Sequence, residues 1–300
     1  MGRGRGRKTV ALRERAAEIL AAIQPATVRS VAYKLFSEGL IPNMSKPETD
    51  RVSRILKHAR EDNVIDWDWI VDNTRKVQWP GTYSSPKAFS RSVAQWWRQD
   101  PWEYQDVRME VWSEKDTVSG VLAPVLKEFA IPFRVNRGFT SATAVHDIAV
   151  ETADNEKPLT ALYVGDYDPS GLYMSEVDLP TRLEKYEADT SFELDRVALV
   201  ASDLAGIADL SFPASDKKDD PRHAWFVAKY GQRCWELDAL DPNVLRERVT
   251  NAIYRYIDVE AWNRVAHVDN LVKASFEDIM GRFAQGKRIS TLVEKYERGA

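Results

Sequence analysis

From Asp106 to Val200, short apolar runs alternate with longer segments of helical period, and this alternation constrains the fold more than any other feature. VRMEVWSE, IPFRVNRG, PLTALYVGD and FELDRVALV have the length and apolar continuity of buried strands. Between them lie VSGVLAPVLKEFA, with Pro124 inside a helical pattern, SATAVHDIAVETA, and SGLYMSEVDLPTRLEKY, broken near Pro180. Strands this apolar need both faces covered, so the pattern predicts an α/β fold whose open, mainly parallel sheet is flanked by helices. Such sheets place ligands beyond the carboxyl ends of their strands.

Two of those strand ends are acidic. Glu114 closes the first strand, and LYVGDYDPSG puts Asp166 and Asp168 after the third. Residues two apart in an extended backbone point to one side, so Asp166 and Asp168 aim two carboxylates at one spot. Like charges repel there unless a cation sits between them. Asp, Pro, Ser and Gly also favour turns, so a plain polar turn accounts for the stretch on its own. Convergence with Glu114 weakens the turn-only reading. Three carboxylates without clustered histidine or cysteine are hard oxygen ligands, and Mg²⁺ is the ion expected of them.

The net charge of −4 hides an uneven split. Residues 1–100 carry 18 Lys and Arg against 11 Asp and Glu, and the remaining two hundred carry 24 against 35. A basic part beside an acidic one points to an anionic partner for the first. The opening MGRGRGRK, with Arg3, Arg5 and Arg7, reads as a basic arm suited to phosphates, or to solubility. Residues 10–23 form an amphipathic helix. Thr27 caps a second, VRSVAYKLFSEG, which Gly39 closes, and Ser45 or Lys46-Pro47 opens a third, PETDRVSRILKHARED. IDWDWIVD then alternates like a half-buried strand. Three helices and a strand are the pattern of a winged helix-turn-helix, and Arg51, Arg54 and Lys57 give the third helix a basic face for double-stranded DNA, or simply a solvated one.

On the second helix Arg29 and Tyr33 are four residues apart and share a face. A phenol is a poor nucleophile unless a cation stabilises its phenolate, which a neighbouring guanidinium does while also holding phosphate. Packing explains Tyr33 equally well. Trp96 and Trp97 suit base stacking or packing between domains. The single cysteine, Cys234, excludes an internal disulfide framework and a Cys-based zinc site. With 44% hydrophobic residues, no membrane-length apolar run and no apolar stretch near the start, the chain is expected to be soluble, unexported and cytoplasmic.

These residues carry a resemblance. SEKD with Glu114 and GDYDPSG with Asp166 and Asp168 resemble the Toprim signature, a strand-end Glu followed by Asp-x-Asp. ATVRSVAYKLFSEGLI resembles the tyrosine-bearing helix of the winged-helix domain in the topoisomerase VI A subunit and the related meiotic double-strand-break protein. The order matches over roughly residues 20–240, and the length is similar to the small stand-alone Mini-A relatives. The resemblance implies a Rossmann-like Toprim core, Tyr33 attacking DNA to become linked to a 5′ phosphate, Arg29 beside it, and Mg²⁺ on Glu114, Asp166 and Asp168. It also implies a homodimer in which one protomer's tyrosine works with the other's metal site, and leaves room for a separate GHKL-type ATPase subunit and a nucleoid-associated location. Where the family often has two consecutive tyrosines, the first position here is Ala32.

The domain reading that follows is a basic arm (1–9), a winged helix (10–80), a linker (81–105), the Toprim domain (106–240) and a C-terminal helical extension (241–300). In that last part Asp241 caps a helix with Pro242 at its first turn, while Glu236 and Asp238 form either a second acidic shell or surface caps. GRFAQGKR at Gly281–Arg288 approaches a phosphate-binding loop, but Arg288 replaces the hydroxyl residue and no strand precedes it. It reads as a loop between helices, without ATPase activity. Asp-x-Asp as a phosphatase nucleophile lacks its usual following threonine. The expected activity is DNA cleavage by tyrosine transesterification. The alternatives are a Toprim nuclease that uses water, of the plasmid-defence kind, and a non-catalytic DNA-binding protein.

Overall fold

A computed structural model of the protein describes residues 7–71, 82–136, 142–188 and 191–285. Three helices come first, α1 (Arg7–Ile23), α2 (Val28–Ser37) and α3 (Lys46–Glu61), and α4 (Pro86–Trp96) follows. Strands and helices then alternate through β1 (Arg108–Ser113), α5 (Thr117–Phe129), β2 (Phe133–Val135), α6 (Ala142–Ala153), β3 (Leu159–Val164), α7 (Pro169–Tyr173), α8 (Leu179–Lys185) and β4 (Phe192–Ala198). The chain continues through β5 (Phe212–Pro213), α9 (His223–Tyr230), β6 (Arg233–Cys234), α10 (Pro242–Tyr254) and α11 (Val259–Gln285). By contacts the chain divides into two compact units, one holding α1–α3 with everything from β1 through α10, the other holding α4 and α11.

In the first unit the sheet order is β2–β1–β3–β4, and every pairing is parallel. This is the α/β architecture that the alternation of apolar runs predicts. β3 is buried at all six positions because it lies inside the sheet with both faces covered. Leu159, Ala161 and Tyr163 join Val145 and Ile148 of α6 and Leu179 and Leu183 of α8 in one core. Pro180 lies inside a run that is helical from Pro169 to Lys185, directly after a π-turn over Met174–Asp178 in which the ordinary helical hydrogen-bond ladder is already interrupted. Pro124 is accommodated inside α5.

The three N-terminal helices have a core of their own, built from Leu12, Ile19, Leu20, Val31, Leu35, Val52 and Leu56 among others. Thr27 caps α2 by accepting from Ser30 N at 3.0 Å, and Gly39 follows the helix with φ +70°, a backbone that glycine adopts without strain. The described part of IDWDWIVD, residues 65–71, is not the strand its alternation predicts. Trp67–Trp69 is a 3₁₀ turn, and among the described residues of the segment only Ile70 makes a bridge, parallel to Ala26. Arg60 accounts for the difference: its Nη2 takes the carbonyls of Trp67 (2.7 Å) and Ile70 (2.8 Å), and its guanidinium lies 5.3 Å from the Trp67 ring. Ile65 and Ile70 turn inward while Trp67 stays 60% exposed.

In the second unit α4 packs on α11, with Trp97 against Phe276 and Trp102 against Trp262. Asp269 accepts from Gln99 N at 2.8 Å and pairs with Lys273. Trp96 is exposed beside Tyr83. Gly281–Gln285 of the near phosphate-loop motif is the last turn of α11, so this part is helix rather than loop, and residues 286–288 lie outside the described residues. No described helix is long and apolar enough to cross a membrane.

Candidate functional site

Beyond Val164 the chain leaves β3 but stays tied to β4, with Gly165 N donating to Ala198 O and Leu199 N to Gly165 O. The turn that follows is tight. A Cβ on Gly171 would lie 2.4 Å from Asp166 O, so the backbone closes on itself in a way only glycine permits. Asp168 caps α7, its Oδ1 accepting from Gly171 N (2.8 Å) and Ser170 Oγ (3.0 Å). Its other oxygen lies 3.2 Å from Lys217 Nζ, and the carboxylate is 3% exposed. Asp166 Oδ1 accepts from Leu237 N (2.7 Å) and Lys115 Nζ (2.8 Å). Glu114, one residue past β1, accepts from Tyr163 Oη at 3.3 Å.

The three carboxylates sense one another. Burial, then Asp168 and Asp166, lifts Glu114 to about 7, far above a free glutamate. Lys115 shows the converse: burial opposes its charge, yet Asp166 and Asp238 together hold it charged and raise it. Glu110, on the preceding strand, marks the contrast with a structural acid. It is buried but answered by a bidentate Arg134 and by Trp112 Nε1.

In donor chemistry the cluster fits a hard divalent cation. In this arrangement, among the described residues, no three His, Cys, Asp or Glu side chains are disposed to hold a metal. The ammonium groups of Lys115 and Lys217 stand against Asp166 and Asp168, and a cation would take their place.

The tyrosine helix reaches the same region. Arg29 pairs bidentately with Glu236, its Nη2 at 2.6 Å from Oε1, and Thr27 Oγ1 donates to Asp238 at 2.6 Å. Lys115 bridges Asp238 (3.1 Å) to Asp166, and Lys34 pairs with Asp241, the cap of α10. The segment Trp235–Asp238 therefore touches both sides, since it also forms an antiparallel bridge with Tyr167. Tyr33 is 4% exposed and lines a cleft of about 370 Å³ with Ser202, Asp203, Ile207, Asp238 and Arg248. Burial and Glu236 push its phenol above the ordinary range, against the pull of Arg29, whose guanidinium lies 5.8 Å from the ring.

Of the residues singled out in the sequence, Glu114, Asp166, Asp168, Glu236, Asp238, Arg29 and Tyr33 thus gather in one unit. The basic candidates lie elsewhere on α3: Arg51 pairs with Glu48, Lys57 with Glu61, and Arg54 donates to Asp50 O. Arg7 opens α1, whereas Arg3 and Arg5 lie outside the described residues. Lys115, Lys217 and Arg196 escaped the sequence reading. Lys115 stands next to Glu114, and Arg196 is a charge inside the apolar run FELDRVALV, so both left a trace; Lys217 sits in a polar run and left none. No protein-family model, curated protein or solved structure matches the chain.

Proposed function

We propose that the protein cleaves double-stranded DNA by tyrosine transesterification, in the manner of a topoisomerase VI A subunit, with a winged-helix domain and a Toprim domain in one unit. The observation that carries this reading is the meeting of the strand-end carboxylates with the Tyr33 helix at Trp235–Asp238. Glu114, Asp166 and Asp168 would hold Mg²⁺, which when bound neutralises nonbridging phosphate oxygens and stabilises a leaving alkoxide. The chain's own part is the nucleophile. Tyr33 Oη forms a bond to phosphorus as the bond to the 3′ oxygen breaks, its proton passes to a carboxylate for which Glu236 is placed, and the 3′ oxygen leaves to be protonated. Arg29 stabilises the negative charge that develops. The resemblance implies a homodimer in which one protomer's Tyr33 serves the other's carboxylates; the contacts at Trp235–Asp238 then couple each tyrosine helix to the acidic turn of its own protomer, and a separate ATPase subunit would close the dimer.

A second reading, a nuclease in which water attacks, draws on the burial of Tyr33 and its raised phenol. The two differ in product. Labelled duplex DNA incubated with the protein and Mg²⁺ or Mn²⁺, then boiled in detergent, should retain a covalent protein–DNA adduct. Tyr33→Phe should lose adduct and cleavage together. Cleavage by Tyr33→Phe at the wild-type rate would make the nuclease the correct reading.

A further inference from the structure

One side chain beneath the acidic turn has no place in the chemistry above. Arg196, near the end of β4, directs all five N–H groups of its guanidinium into the protein. Nε donates to Leu199 O (2.9 Å), Nη1 to Gly171 O (2.9 Å) and Ser175 Oγ (2.6 Å), and Nη2 to Gly165 O (3.1 Å) and Asp166 O (2.6 Å). Three of these carbonyls belong to the turn that carries the two aspartates. Gly165 O also accepts from Leu199 N, and Gly171 O from Ser175 Oγ, so Arg196 adds a second donor to these two carbonyls and answers Asp166 O where the turn closes on Gly171. The same guanidinium lies 5.3 Å from the Tyr163 ring centroid, and Tyr163 Oη donates to Glu114. A single planar fork therefore reaches the backbone of Asp166, the start of the helix that Asp168 caps, and, through one aromatic ring, Glu114.

Its hydrogen-bond acceptors are four carbonyls and one hydroxyl, while its countercharge comes from Asp166, Asp168 and Glu176 nearby, so the cation is tied to the acidic turn both by its backbone and by its charge. We propose that Arg196 is the positioning residue of the acidic site: it fixes the turn from Gly165 to Gly171 and, by way of Tyr163, bears on Glu114, and so sets the backbone from which the carboxylates would turn to a divalent ion once Lys115 and Lys217 give way. It touches neither ion nor DNA. The inference rests on reading the turn as a metal site. Lysine is no substitute, because its donors radiate from one nitrogen and cannot span carbonyls on both sides of the fork.

The test compares full-length wild type with Arg196→Lys and Arg196→Met by amide hydrogen exchange and by Mn²⁺ titration. Amides of Gly165, Tyr167, Gly171 and Leu172 should exchange about 10–100-fold faster in Arg196→Met, with β1 and β3 unchanged and Arg196→Lys in between. Mn²⁺ affinity should fall about 10–100-fold in parallel. Unchanged exchange in the turn overturns the proposal. So does exchange that rises equally across the chain, or loss of folding, since either assigns Arg196 to stability alone. Wild type that fails to bind Mn²⁺ sinks the metal reading instead, and the exchange result still decides whether Arg196 orders the turn.

Discussion

The acidic turn and the tyrosine helix both rest on Trp235–Asp238, yet opposite forces hold them. In the turn, polar atoms fix polar atoms: Asp168 is set by Gly171 N and Lys217, Asp166 by Leu237 N and Lys115. On α2 the work is apolar. Val31, Ala32 and Leu35 are buried in the N-terminal core, and only the margin of the helix, Arg29 and Lys34, reaches across to acids. Crowded, part-neutralised carboxylates oppose folding, whereas an inward-facing tyrosine is what any amphipathic helix presents. The turn is the stronger sign of function because the fold gains so little from it.

That contrast breaks most visibly when charge is removed from the turn without disturbing its cap. Asparagine caps a helix about as well as aspartate, so Asp166→Asn with Asp168→Asn should leave the fold and DNA affinity nearly intact. Mg²⁺-dependent cleavage should fall by at least about 10²–10³-fold, measured on labelled duplex at saturating protein. Wild-type rates from this double variant would place the turn with the ordinary polar loops and erase the contrast.

A next, smaller effect lies in the pH dependence of stability. Glu114 titrates near 7 in the folded chain and at 4.5 by its ordinary value, so between those limits the folded state holds a proton that the unfolded state has released. Stability from this group therefore falls as pH rises from 4.5 to 7, by up to about 3 kcal/mol once both limits are passed. Urea midpoints at pH 5 and 8 should show the decline in wild type and a flatter response in Glu114→Gln. Mg²⁺ should restore stability at pH 8, since it favours the ionised carboxylate. Identical slopes for the two proteins would mean that neither burial nor the neighbouring aspartates raise Glu114.

How much of this the sequence discloses follows the same division. β1 and β3 are readable because inner parallel strands are buried on both faces, and Glu114, Asp166 and Asp168 are readable because they directly follow those runs. IDWDWIVD misleads because alternation is local, while the Arg60 fork that takes two of its carbonyls depends on where α3 ends. The pairing of Asp168 with Lys217 and of Arg29 with Glu236 joins residues 49 to 207 apart, which no period encodes. The union of α4 with α11 is of the same kind: Gln99 meets Asp269, 170 residues further along the chain.

The smallest effect is expected where the comparison is sharpest, at the tyrosine hydroxyl. Tyr33→Phe keeps the ring and its packing and removes one oxygen that lies beside Arg29 and Glu236. Its stability should change by less than about 1.5 kcal/mol, the range of one hydrogen bond, whereas Tyr33→Ala should lose about 3–5 kcal/mol by opening a cavity. Urea denaturation of both variants at pH 7 measures the pair. A small loss for Phe with a large one for Ala says that α2 is held by the ring and that the hydroxyl is dispensable to the fold. Under the proposed function the oxygen is then free for chemistry, and the burial of the ring would describe a resting arrangement from which Tyr33 is exposed before it meets DNA. A loss for Phe approaching that for Ala would show the hydroxyl anchoring α2 to Glu236, which moves Tyr33 to the structural side and leaves the acidic turn as the reacting centre.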